Sequence, residues 1–158
     1  MSRPQRIRGF SYVGLNIYFI TCCVKDRRPV FEDRAAVDEA LDHFRRTARE
    51  NEFEILTYCF MPDHLHLLVE GVSDRSDLRK CMKLAKQRSG AAYALRGNGA
   101  LWQEGYYDRV VRPTETPRHV ARYILENPVR ANLVVNPQDY AHSGSDKWPM
   151  KDLLESVR

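Results

Sequence analysis

Met61-Pro62-Asp63-His64-Leu65-His66-Leu67-Leu68-Val69-Glu70 reads as a tight turn feeding a β-strand. Pro and Asp favour turns, and strand side chains alternate between faces. His64, His66, Leu68 and Glu70 therefore share one face, and Leu65, Leu67 and Val69 the other. The wholly apolar face belongs against a core. Two imidazoles one pleat apart on the opposite face can converge on one divalent ion, or can be half-buried, hydrogen-bonded histidines without one. Asp63, immediately before His64, is expected to point to the other face and to serve the turn.

Working outward, Phe53 to Phe60 is β-branched and aromatic enough for a strand, joined through this turn as a hairpin. Asn16 to Val24 is an earlier strand of the same character. Between them Val37, Ala40, Leu41, Phe44 and Ala48 recur at helical spacing from a possible Asp33 N-cap to about Glu50. Downstream, Ser76 or Asp77 can cap a second helix running to about Leu95, which Arg96-Gly97-Asn98-Gly99 breaks. Tyr106 to Arg112 is a fourth strand, and Thr116 with Pro117 places an N-cap and an N1 proline at a third helix.

The order β-α-β-β-α-β predicts an α+β fold, the ferredoxin-like split βαβ antiparallel sheet with two helices on one face. The third helix is extra. With the first two helices covering Leu65, Leu67 and Val69, the histidine face is left for the third, which would bring Tyr123 to the histidines. The expected division is one domain over residues 1–134, with a basic N-terminal segment 1–14, followed by a polar tail 135–158 that holds a short helix within Trp148 to Val157.

At 158 residues, 43% hydrophobic and 29% charged, the chain has the length and balance of one soluble globular domain. No apolar run approaches the ~20 residues of a membrane span, and Met1 to Arg6 leads into no signal-peptide apolar segment, so a cytoplasmic protein is expected. Cys22, Cys23, Cys59 and Cys81 form no C-x-x-C pair and read as reduced structural thiols, the vicinal pair pointing to opposite strand faces. Net charge is only +4, yet Arg79, Lys80, Lys83, Lys86, Arg88 and Arg96 fall in a stretch to Gln103 without an acid. Arg3, Arg6 and Arg8 form a second cluster. Such runs fit a solvated face and a loose tail, or a nucleic-acid backbone.

Some sixty residues beyond the histidines comes Ala121-Arg122-Tyr123-Ile124-Leu125-Glu126-Asn127-Pro128-Val129-Arg130-Ala131-Asn132-Leu133-Val134. On a helix Tyr123 and Asn127 are i and i+4, on one side. His-hydrophobe-His after Met-Pro-Asp, Leu-Trp-Gln with an Arg-rich strand, and Tyr-x-x-x-Asn-Pro-Val-Arg-Ala-x-Leu-Val together resemble the single-tyrosine HUH transposases, most closely the REP-associated tyrosine transposases with their IS200-like domain. The resemblance spans Tyr18 to Val134 in order. Asn132 stands where that family usually has glycine, and Asn is the other residue that visits the left-handed region readily.

The resemblance implies a metal-dependent single-stranded DNA endonuclease and strand transferase. Tyr123 would be the nucleophile, giving a 5′-phosphotyrosine and a free 3′-OH. His64, His66 and Asn127 would hold the divalent metal, Mg²⁺ in the cell with Mn²⁺ bound better, since imidazole suits Mn²⁺ more than Mg²⁺. The substrate implied is a single-stranded DNA hairpin with a short guide sequence, and the protein a monomer or homodimer. Lys83, Lys86, Arg88, Arg109 and Arg112 become candidate phosphate contacts, and Arg3, Arg6 and Arg8 candidate holders of the guide. Trp102 and Tyr106 can stack on bases or sit at the edge of the core. No general base is evident, and His119 reads as an exposed helix histidine. Two other readings stay open: a mobile-element transposase of the same chemistry, and a non-catalytic nucleic-acid-binding module on a ferredoxin-like sheet.

Overall fold

The computed structural model describes residues 7–155. Five strands form one antiparallel sheet: β1 (Ile17–Cys23), β2 (Phe53–Met61), β3 (His64–Gly71), β4 (Tyr107–Val110) and β5 (Ser143–Gly144), in the order β4-β1-β3-β2-β5. Among the described residues five α-helices accompany them: α1 (Arg34–Glu50), α2 (Leu78–Tyr93), α3 (Pro117–Leu125), α4 (Asn127–Arg130) and α5 (Met150–Glu155). The α+β, split βαβ expectation holds, with β3 central and its Leu65, Leu67, Leu68 and Val69 buried.

Capping follows the polar residues read at the helix starts. Asp33 accepts from Ala35 N (3.0 Å) and Asp77 from Lys80 N (3.2 Å). Ser76 instead donates to the Glu52 carbonyl, tying the start of α2 to the end of α1. Thr116 occupies the N-cap position of α3 in an extended conformation, but its hydroxyl makes no capping bond; Pro117 and the Thr116 carbonyl define that helix start.

The sheet separates two apolar layers. One packs α1 and α2 on Leu65, Leu67 and Val69, together with Tyr18, Ile20, Cys22 and Phe60. The other packs α3 and α5 on Leu56, Cys59, Met61 and Leu68. Cys22 and Cys23 do face opposite ways; all four cysteines are buried free thiols, with those of Cys22, Cys59 and Cys81 pushed up to about 12 by burial. A bulge in β2 near Leu56 lets Leu56 and Cys59 both serve the α3 layer.

The tail goes further than a polar segment with a short helix. Ser143 and Gly144 add β5 to the edge of β2, Ser145 Oγ donates to the Leu56 carbonyl, and Tyr140 donates to the Phe60 carbonyl. On the other side of the same layer, Leu153 of α5 is fully buried and Arg122 of α3 donates to the Leu154 carbonyl. The tail therefore clamps α3 against the sheet. Two-residue β5 was not legible because a strand that short has no period to read.

Candidate active site

The turn Pro62-Asp63 joins β2 to β3 and is held rigidly, its carbonyls accepting from Phe31 N and Val24 N at 2.9 Å each. It launches β3 with His64, His66, Leu68 and Glu70 on the α3 face, as alternation requires. His64 Nε2 and His66 Nε2 lie 3.1 Å apart. That separation is a hydrogen bond between the two imidazoles, and it is also close to the roughly 3 Å between two nitrogens bound at a near-right angle to one ion at about 2.0–2.1 Å.

The outer nitrogens are held as well. Asp63 Oδ1 lies 2.6 Å from His64 Nδ1, and Thr21 Oγ1, across the ladder on β1, lies 2.9 Å from His66 Nδ1. With His64 Nδ1–H donating to the carboxylate, its Nε2 presents a lone pair to the site, the usual way a second shell fixes a metal-binding imidazole. Asp63 thus departs from expectation. It does sit in the turn, but a turn residue escapes strand alternation, and its carboxylate swings back to His64 and to Arg27 Nε at 2.9 Å. Partial burial opposes ionisation of Asp63, and the bonds from His64 and Arg27 outweigh it, holding the carboxyl below its usual range.

His66 is the more enclosed imidazole. Burial, then the neighbouring His64 and the cations Arg130 and Arg27, push its pKa from 6.5 down to about 3. It is therefore neutral and available for coordination at physiological pH. The same shift has a stability consequence. As pH falls through 6.5 the unfolded chain takes up a proton that folded His66 refuses until about 3, so a stabilisation present above 6.5 is lost progressively across that window. Urea midpoints measured from pH 7 to pH 4 should fall less steeply for His66→Gln than for the unaltered chain; equal slopes would contradict this.

Tyr123 lies on the outer face of α3, which an amphipathic pattern turns inward at Val120, Ala121, Ile124 and Leu125. Its side chain is 55% exposed, so it is not the packed core aromatic that its neighbours Val120 and Ile124 would suggest. The ring of Phe19 on β1 bridges the two halves of the site, with centroids 5.4 Å from His66 and 6.3 Å from Tyr123.

Helix α3 stops at Leu125, and α4 restarts at Asn127 around Pro128. This break folds Arg130 back over Tyr123, its guanidinium 3.9 Å from the ring centroid and bonded to the Tyr123 carbonyl. Arg130 lies within the motif quoted above, yet only the helix break shows which ring it covers. Asn132 ends α4 at φ 59°, the left-handed conformation expected of it. Asn127 is half-buried at the break. Among the described residues no three His, Cys, Asp or Glu side chains gather as a metal shell.

A family model described as transposase IS200-like matches residues 12–127. The chain belongs to the IS200-like transposase family. An Escherichia coli REP-associated tyrosine transposase is 30% identical over 101 residues, covering 62% of this chain and 58% of that one. A Haemophilus influenzae protein named as a putative REP-associated tyrosine transposase is 25% identical over 149 residues, 86% and 82% of the two chains. A solved REP-associated tyrosine transposase bound to a REP hairpin superposes with a TM-score of 0.74 at 22% identity, over 90% of this chain and 82% of that one, which establishes the common fold.

The basic residues of this IS200-like transposase divide by their partners. Lys86 Nζ donates to the carbonyls of Gln103 and Gly105, and Arg88 pairs with Glu50 at 2.6 Å and bonds Thr47, so both fasten α2 to its surroundings. Arg109 pairs with Glu115 at 2.7 Å. Lys83, Arg112 and Arg8 are exposed, and Arg3 and Arg6 lie outside the described residues. Trp102 donates to Ser89 and packs near Phe31 and Phe44, while Tyr106 is buried, so both aromatics belong to the core and its edge. His119 is exposed beside the cleft that opens at Tyr123. No helix among the described residues is long and apolar enough to cross a membrane.

Proposed function

We propose that this chain is a metal-dependent single-stranded DNA endonuclease and strand transferase acting at hairpins through a 5′-phosphotyrosine on Tyr123. The observation that carries the reading is the convergence of the two Nε2 atoms, each held from behind, with an open tyrosine one Phe19 ring away. A solved relative of this fold holds a REP hairpin, which makes a REP-like hairpin with a short guide sequence the first substrate to try.

The Tyr123 oxygen bonds to phosphorus as the P–O3′ bond breaks. The phenol's proton ends on the departing 3′ oxygen, so no further reactant is consumed. His64 and His66 would hold the divalent ion, Mg²⁺ or Mn²⁺, with the Asn127 side-chain oxygen as third donor; the bound ion supplies charge stabilisation to the phosphoryl oxygens. Arg130 covers the phenol ring and holds a positive charge beside the histidines, where a phosphate negative charge would gather. In the test, a labelled hairpin oligonucleotide is cut in Mn²⁺ and left intact in excess chelator. Cutting undiminished in chelator would sink the reading.

Two further results are expected. Asn127→Ala raises the metal concentration for half-maximal cleavage by about 10-fold or more while the limiting rate changes little; an unchanged titration leaves Asn127 as a helix-ending residue. Replacing Lys83, Lys86 and Arg88 together lowers the magnitude of the salt slope for single-strand binding by roughly 0.7, one contact's worth rather than three. Lys86 and Arg88 are committed to the fold, so their loss should appear in thermal stability instead. A slope change near 2 would show that both release their internal partners to DNA.

A further inference from the structure

The sheet face that carries the histidines continues outward past them. Thr21 stands opposite His66 on one side and Tyr107 on the other, and Phe19 stands opposite Leu68 and Arg109. Beyond Thr21 and Phe19, the edge strand β4 and helix α3 enclose a cleft of about 850 Å³. Its walls include Phe19, Tyr107, Arg109, His119 and Tyr123 together with the acidic Asp108 and Glu115, while His64 and His66 do not line it. Tyr123 is thus a boundary, with the histidine pair across Phe19 on one side and this cleft on the other.

In-line displacement puts the departing 3′ oxygen opposite the attacking phenol. The flank on the 5′ side of the cut is therefore carried away from Tyr123. The flank on the 3′ side keeps its P–O5′ bond and stays beside the tyrosine to which it becomes joined. We propose that this cleft binds the first nucleotide on the 3′ side of the cut, its base stacked on the Tyr107 ring. The inference rests on the endonuclease reading above and adds to it a protein-made subsite for the covalently retained strand. The volume falls within the range of small-molecule sites and leaves room for a base with its sugar, and aromatic faces accept any base, so the subsite contributes affinity without strong sequence preference.

The unaltered chain first locates the cut on a labelled hairpin. Binding is then titrated by fluorescence anisotropy on the Tyr123→Phe chain, which leaves the strand whole, with an abasic residue placed at the first position 3′ of the cut or at the first position 5′ of it. The 3′ abasic substitution should weaken binding about 10-fold, the size expected for one stacked base, and the 5′ substitution by less than about threefold. In Tyr107→Ala the 3′ substitution should lose its effect, and in Tyr107→Phe, which keeps the ring, retain it. Sensitivity at the 5′ position instead, equal effects at both, or an undiminished 3′ effect in Tyr107→Ala would overturn the subsite while leaving the endonuclease reading intact. Absence of any cut would overturn that reading and the subsite with it.

Discussion

Tyr123→Phe should eliminate the protein–DNA adduct that the unaltered chain forms with a single-stranded hairpin labelled on the 3′ side of the cut. The adduct is read as radiolabel travelling with the protein through denaturing electrophoresis. Covalent catalysis makes it obligatory, because the bond between the tyrosine oxygen and phosphorus survives unfolding. Removing a covalent nucleophile costs on the order of 10⁴-fold or more in rate, so strand cutting should disappear together with the adduct. The fold should be little affected, since Tyr123 is 55% exposed and its ring, with Arg130 stacked at 3.9 Å, is retained in Phe. Tyr93, Tyr106, Tyr107 and Tyr140 should keep the adduct as Phe variants. A metal-activated water predicts the opposite pattern, with cutting but no adduct and indifference to Tyr123→Phe. Mapping the modified peptide to any other tyrosine would overturn the assignment of α3 as the catalytic helix.

The second large effect concerns the histidines. His64→Ala or His66→Ala should abolish cleavage while hairpin binding stays within about 10-fold, because phosphate contacts elsewhere supply most of the affinity. The two variants are informative together with Asp63→Asn. Asp63 supports His64 through Nδ1 at 2.6 Å, and removing such an outer-shell partner typically costs about 10–100-fold in metal affinity rather than all activity. Added Mn²⁺ should therefore restore Asp63→Asn and leave His64→Ala inactive. Cleavage by either alanine variant at the unaltered rate would remove the histidine pair from the chemistry.

Much of this was legible in local sequence. Period-two alternation in His64 to Glu70 assigned the two faces of β3 without reference to any partner, since a strand offers a side chain only two directions. Helical spacing in α1 and the acidic caps Asp33 and Asp77 behaved as read, because both are decided within a few residues of chain. The expectation that α3 would cover the histidine face followed from exclusion, two helices having already claimed Leu65, Leu67 and Val69.

What was not legible depends mostly on residues distant in the chain. Lys86 and Arg88 fall in a run without an acid, and only the fold shows that Gln103, Gly105, Thr47 and Glu50 are their partners within the chain. Charge clustering along a sequence says nothing of what lies across a packed helix pair. Asp63 was placed by strand alternation although a turn residue is free of it. The tail's contribution rests on β5 and on Leu153, a two-residue strand and a single buried side chain, each below what a pattern can detect.

By itself, then, the sequence determined the order of the first four strands and first three helices and the opposed apolar and histidine faces of β3, all consequences of backbone periodicity. Tertiary structure decided the rest. Antiparallel register set Thr21 behind His66, the helix break at Asn127-Pro128 laid Arg130 over Tyr123, and the tail clamped α3 to the sheet. Most of these contacts join segments well separated in the chain, and which of the many possible partners each side chain meets is settled only when the two apolar layers close around the sheet.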